Sequence, residues 1–247
     1  MSEKINLFWM YPDILNLHGD RGNIQAFEYA AKRMGLEAEV TRVVNPGDAI
    51  DFSKADLMVF GPGELKTCRI LADALRGRVE ELNAWLADGG HIFVTGTSGT
   101  VFGGKVERMN GADFEGLGLL NVTAKERRMI LGNDLHVELA NGMEVMGSQI
   151  QMGEYTVDPE QALGKVLYGH GNRNTGDEGA RNGNLIWTNL LGPVMVKNPW
   201  WACRILARIA DRKGLSYTVP AMEEFDLEYA SLKAVKEYLV LKQEKKD

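Results

Sequence analysis

The sequence predicts an α/β protein built on a doubly wound, mostly parallel sheet, with an antiparallel strand region in its second half. Two observations carry this. In the first half, short apolar runs alternate with amphipathic helical stretches, the repeating unit of an open sheet covered on both faces. Between about Gly103 and Leu191 the helical period fades and apolar residues alternate instead. Length agrees: 247 residues, 45% hydrophobic and 25% charged, bury a substantial core. We expect one domain over residues 1–215 and a helical extension over 216–247.

Ile5–Met10 reads as the first strand, too short an apolar run for a signal peptide with its cleavage site. Ile24, Phe27, Ala31 and Met34 then recur at spacings of three and four, one face of a helix that Gly35 ends. Ala38–Val43 is a second strand, Asn45-Pro46-Gly47-Asp48 a turn, and Leu57–Phe60 a continuous apolar run suited to a strand buried on both faces. Ile70, Leu71, Ala74, Leu75, Val79, Leu82 and Leu86 form one long helical stripe closed by Gly89-Gly90. Ile92–Val94 follows as another buried strand. Leu135, Val137, Leu139 and Val145 alternate as antiparallel strands do. Asn198-Pro199 reads as an N-cap with proline at the first helical position. Ala202, Ile205, Leu206 and Ile209 are the packed face of that helix, with Cys203 an ordinary helix residue. After Pro220, Leu227, Ala230, Ala234, Val235, Tyr238 and Leu241 give Met222–Asp247 helical spacing and a charged tail, able to dock on its own domain or on a partner.

Charge narrows the partners. Lys and Arg number 28 against 34 Asp and Glu, a net charge of -6 without a basic cluster, so neither nucleic acid nor an anionic membrane is expected. No run of about 20 apolar residues would span a bilayer. Cys68 and Cys203 are far apart and lack the spacing of a disulfide framework or a zinc site, which fits a reducing cytoplasm. No metal and no cofactor is expected; small polar molecules and proteins remain.

In sheets of this kind ligands bind beyond the carboxyl ends of the strands. The loops there are Gly61-Pro62-Gly63-Glu64 and Thr95-Gly96-Thr97-Ser98-Gly99. Their small residues let backbone N–H groups approach a ligand, as an anion or oxyanion site requires; equally, they permit tight turns. Neither loop fits a P-loop or GxGxxG, so nucleotide binding has little support.

Several blocks carry a resemblance. They are Tyr11-Pro12-Asp13 with Gly19-Asp20-Arg21-Gly22-Asn23, then Gly61-Pro62-Gly63, Glu115-Gly116-Leu117-Gly118-Leu119-Leu120, Arg127-Arg128 with Gly132-Asn133, and Gly147 with Gln149-Ile150-Gln151-Met152-Gly153. The Gly169–Gly179 loop, Gly192-Pro193 and Lys197-Asn198-Pro199 close the series. In order and spacing, from about Tyr11 to Gly214, the chain resembles the class I glutamine amidotransferases of the cobyric acid synthase type, and among them the glutaminase subunit of lipid II isoglutaminyl synthase. The resemblance implies a flavodoxin-like amidotransferase fold. It also implies a cysteine on a strand-to-helix elbow that attacks the glutamine amide, a histidine base, and a Mur ligase-like synthetase that receives the ammonia.

The chemistry that the resemblance implies is not matched by the residues. The nucleophile position falls at Gly96, or at Thr95 or Thr97 with a shift of one residue. The base position is Leu191, and the histidine of the family's Glu-Ile-His-Met-Gly block is Gln151. Ser98 and the neighbouring threonines are hydroxyl nucleophiles in need of a stronger base. His18, His91, His136 and His170 are scattered. Cys68 is an alternative thiol, and Glu64, Arg69 and Arg128 could hold a polar ligand. We therefore expect a degenerate pocket, with Gly61, Gly63, Ser98, Arg128, Gln149 and Gln151 around it. Such a protein would bind a synthetase subunit or a small polar ligand without hydrolysing glutamine; hydrolysis through Cys68 or Ser98 is the alternative.

Overall fold

The computed structural model describes residues 4–244, so the last three residues of the charged tail lie outside the described residues. The chain opens with alternating strands and helices: β1 (Ile5–Met10), α1 (Arg21–Arg33), β2 (Ala38–Val43), β3 (Leu57–Phe60), α2 (Leu65–Arg76), α3 (Val79–Ala87), β4 (His91–Thr95), then α4 (Gly99–Phe102) and β5 (Lys105–Glu107). A strand-rich stretch follows: β6 (Phe114–Glu115), β7 (Val122–Leu139), β8 (Glu144–Val157), β9 (Gly164–Tyr168), β10 (Asp177–Glu178), β11 (Ala180–Asn182) and β12 (Leu185–Thr188). Helices α5 (Val194–Lys197), α6 (Pro199–Lys213) and α7 (Asp226–Glu244) end it.

The main sheet has the order β2-β1-β3-β4-β12-β11, parallel except for β11. This is the doubly wound arrangement that the alternation of runs predicts, with its switch point between β1 and β3. Strand geometry explains the two cores. Successive side chains point to opposite faces, so Leu57, Val59 and Phe93 pack with α1 and α6, whereas Met58, Phe60, Ile92 and Val94 pack with α2 and α3. Strands apolar at every position therefore belong at the centre. The second sheet is the antiparallel region, apart from a parallel pairing of β5 with β7, and in it β7 and β8 form a long hairpin whose register shifts between Glu126 and Leu131.

Three local expectations are corrected. The single stripe from Ile70 to Leu86 is two helices, broken at Gly77-Arg78, and Ile70 faces solvent while Cys68, Leu71, Ala72 and Leu75 face the core. Asn198 does precede α6, but its amide does not cap that helix. It exchanges bonds with the backbone of Met146 and donates to Val194 O, pinning the start of α6 to β8. In α7 the buried residues are Leu232 and Leu239, preceded by Phe225; Leu227, Tyr238 and Leu241, expected on the packed face, are exposed. The helix is held to its own chain by these contacts and by Lys236 on Glu144 (2.5 Å). Both faces carry apolar residues, so spacing alone could not choose between them.

One glycine of the second loop is fixed by packing. A Cβ on Gly99 would fall inside the indole of the fully buried Trp187, whose Nε1 donates to Gly96 O at 2.7 Å. Gly99→Ala is expected to lower stability by about 1–3 kcal/mol through overpacking. Urea unfolding midpoints check this; an unchanged midpoint would show that Trp187 is free to shift.

Candidate functional site

The loops after β1, β3 and β4 meet at the carboxyl edge of the main sheet and enclose a cleft of about 360 Å³. Leu17 and His18 come from the first loop, Pro62, Gly63 and Glu64 from the second, and Thr97 from the third; Leu191, Ile150 and Met152 complete an apolar wall. The β1 loop carries backbone strain: Tyr11 and His18 are non-glycine residues with φ of 53° and 59°. Strain of this kind gathers at functional sites.

β4 ends at Thr95 and the chain turns at once into α4 through Gly96, whose φ of 57° lies in the left-handed region. This sharp strand-to-helix turn is an elbow of the kind that presents a nucleophile. Glycine has nothing to present. A Cβ at Gly96 would lie 3.0 Å from Pro62 Cβ and 3.3 Å from Leu191 Cδ2. Positions 96 and 191, about 95 residues apart in sequence, are thus side by side in space. Leu191 is held there by a two-way bridge with Ser148 on β8, N–H to O distances of 2.9 and 2.8 Å.

The neighbouring hydroxyls are already committed. Ser98 is fully buried and its Oγ donates to Gly61 O at 2.5 Å. Thr97 Oγ1 donates to Gly63 O and accepts from Gly63 N–H at 3.1 Å, which occupies that backbone donor of the first glycine loop. Thr95 Oγ1 donates away from the cleft to Asp20 Oδ1 at 3.0 Å. Cys68 lies beneath the elbow, its Sγ 3.5 Å from Thr97 O, fully buried, and desolvation pushes its thiol up to about 11. Cys203, buried in α6, is likewise pushed up to about 11 by burial. Neither thiol has a histidine partner among the described residues.

Expected pocket residues divide accordingly. Gly63 lines the cleft, with Gly61 directly behind it: a Cβ on Gly61 would stand 2.8 Å from Asp20 Oδ2, and one on Gly63 2.6 Å from Leu15 Cδ2. Gln149 and Gln151 do not line it, which corrects the expectation. Alternation along β8 turns them inward, where Gln149 Nε2 donates to Gly171 O (2.6 Å) and Gln151 Nε2 to Asn172 O (2.7 Å), fastening the 169–179 loop. Their neighbours Ile150 and Met152 face the cleft instead. Ser98 is likewise behind the wall, and Arg128 is exposed in the irregular stretch of β7 and takes no part. Arg69 is exposed and paired with Asp73; Glu64 lines the cleft but is paired with Lys66 at 2.7 Å.

Sequence reasoning did not single out Arg108 and Glu126. They form a largely buried ion pair of 2.8 Å at the cleft edge. Burial works against the Glu126 charge, but the bonds from Arg108 and Met109 N–H prevail and hold its carboxyl below the usual range. No motif marks either residue; only the fold of β7 beside the loop after β5 brings them together. Asp20 does sit in a quoted block, yet its role was not legible. It is 4% exposed, accepts from Thr95 Oγ1 and from Asn23 Nδ2 (2.7 Å), and burial raises its carboxyl to about 7.

A model of the CobB/CobQ-like glutamine amidotransferase domain matches residues 6–198. A relative from Streptococcus pneumoniae (strain ATCC BAA-255 / R6), the GatD subunit of a glutamine-hydrolyzing lipid II isoglutaminyl synthase, is 25% identical over 226 residues, 90% of this chain and 86% of that one. The GatD subunit of the same type of enzyme from Staphylococcus aureus (strain N315) is 26% identical over 215 residues, 87% of this chain and 88% of that one. Among solved structures, a glutamine amidotransferase aligns with a TM-score of 0.49 at 16% identity, over 84% of this chain and 99% of that chain.

Proposed function

Since the chain belongs to the CobB/CobQ-like glutamine amidotransferase family, we propose that it is an amidotransferase-like subunit that no longer hydrolyses glutamine. Its role is to bind and regulate, or scaffold, a Mur ligase-like synthetase of the kind that amidates cell-wall precursors. The observation that carries this reading is the juxtaposition of Gly96 and Leu191. Where attack on an amide needs a thiolate hydrogen-bonded to a base, the elbow offers only a hydrogen atom, with an aliphatic side chain 3.3 Å from where a Cβ would stand. Leucine also removes polarity from a pocket whose transition state is charged. The partner is inferred from the GatD relatives, each one subunit of a synthase.

The purified chain, alone and with a Mur ligase-like subunit present, is expected to release no ammonia from glutamine above a protein-free control. Release abolished by Cys68→Ala or Ser98→Ala would establish a rearranged nucleophile and end the proposal. Burial of both groups and the raised thiol of Cys68 argue against that outcome. For the partner, co-expression with the synthetase subunit is expected to yield a stable complex; recovery of the chain by itself would refute that half.

The cleft favours a second reading, retention of a small ligand without turnover. It joins an apolar wall of Leu191, Ile150 and Met152 to the Arg108–Glu126 pair, a setting for an amino acid with an apolar side chain. A ligand that binds only the folded state raises its melting temperature. Thermal shift across the amino acids tests this, and a uniform absence of shift would exclude it.

A further inference from the structure

At the other end of β4, roughly 16 Å along the strand from the elbow, lies a second cavity of about 270 Å³. We propose that it binds a hydrogen-bearing phosphate group, free or carried on a small molecule. Three guanidinium groups converge on it. Arg204 and Arg208 stand one turn apart on α6, and Arg181 reaches in from β11. Among the described residues none of the three has a carboxylate partner, whereas Arg212 and Lys213, next along the same helix, are both tied to Asp56 at 2.5 Å. Arg181 spends only its Nε, on Gly183 O at 2.7 Å. Burial, and then the field of Arg208, lower the affinity of Arg181 for its proton, the signature of cations gathered without a counter-charge.

A buried acceptor points to the same ligand. His91, the first residue of β4, lines the cavity and is 4% exposed. Its Nδ1 lies 2.9 Å from Gly89 O, which can only accept, so Nδ1 carries the proton. Nε2 is then a lone pair, and it is buried with no hydrogen-bond partner. Burial, outweighing the bond to Gly89 and assisted by Arg212, Arg208 and Arg181, holds the ring down to about 4, so it is neutral near pH 7. The site therefore offers forked donors for anionic oxygens beside one acceptor that needs a donor. Ionised carboxylates and sulfate have no hydrogen to give. Inorganic phosphate keeps a hydrogen in both forms it takes near pH 7, and a phosphate ester keeps one in its monoanion, so each can present P–O⁻ to the arginines and P–OH to Nε2. The cavity floor of Ile186, Trp201 and Ile205 leaves an apolar surface for whatever bears the phosphate.

Titration calorimetry of the full chain at pH 7, at matched ionic strength, tests this with inorganic phosphate, inorganic pyrophosphate, sulfate and a nucleoside diphosphate. Saturable binding of phosphate and pyrophosphate is expected, with sulfate weaker by about tenfold. Arg204→Gln with Arg208→Gln, both exposed positions, should weaken pyrophosphate by about tenfold or more without lowering the thermal midpoint of the anion-free protein. His91→Phe, which fills the same space, should bring phosphate down to the level of sulfate. Tighter binding of the nucleoside diphosphate than of pyrophosphate would identify an esterified ligand resting on the apolar floor; equal binding would identify the group alone. Absence of saturable binding, sulfate equal to phosphate, or indifference to the arginine variant would each overturn the proposal.

Discussion

Asp20→Asn is expected to stabilise the protein at pH 8 by up to about 4 kcal/mol and to leave it unchanged near pH 4. The carboxyl is raised by burial from 3.8 to about 7, and each tenfold change in its proton affinity is worth about 1.4 kcal/mol. Between those values the folded state holds a proton that the unfolded state has released, so stability falls as pH rises through the window and levels off above it. Below pH 4 both states are protonated and the contribution is fully present. Asparagine keeps an acceptor oxygen for Thr95 and Asn23 but carries no charge to bury. Glu178, also buried and raised chiefly by desolvation, adds a slope of the same sign. It is common to both proteins and cancels in the difference. Urea unfolding at pH 4, 6 and 8 reads the effect, and a constant gap between the two proteins at all three would show that folding does not raise the Asp20 carboxyl.

Installing Gly96→Cys together with Leu191→His is expected to create a reactive thiolate where the wild type has none. A thiol with pKa near 8.5 is about 3% ionised at pH 7, and a neighbouring imidazolium can bring the value to roughly 6, a gain of about 30-fold in thiolate. Alkylation by iodoacetamide should therefore have its pH midpoint about 2–3 units lower in the double variant than in Gly96→Cys alone, and run several-fold faster at pH 7, the gain being smaller than that in thiolate because a thiolate of lower pKa is also a weaker nucleophile. The buried Cys68 and Cys203 contribute little background. The single cysteine variant is itself expected to lose about 1–2 kcal/mol, since a side chain at a φ of 57° is strained and Pro62 is only 3.0 Å from the new Cβ. Equal alkylation rates would mean that positions 96 and 191 do not meet in solution, and the inference of a dismantled catalytic pair would fall with them.

Much of the fold was legible because the signals are local. Leu57–Phe60 and Ile92–Val94 are apolar at every position, which only a strand covered on both faces requires, and they are the centre of the main sheet. The same reasoning failed on α7, where two apolar stripes compete, and between α2 and α3, where Gly77-Arg78 interrupts a spacing that looks continuous. Alternation marked the end of β7 and, at Val145, the start of β8, but not the facing of the rest of β8: whether Gln151 or Ile150 looks into the cleft depends on a register one residue apart.

The sequence by itself determined the doubly wound architecture, the glycine-rich loops at the strand ends, and the absence of cysteine at Gly96 and of histidine at Leu191, since each is a property of residue type and short-range spacing. Tertiary structure alone decided that Gly96 and Leu191 touch, that Arg108 pairs with Glu126 at the cleft, and that Arg181, Arg204 and Arg208 surround His91. Those relations join residues on separate elements. Chain closure, rather than any local preference, sets the distances between them, and charge and burial take their effect only once the distances are fixed.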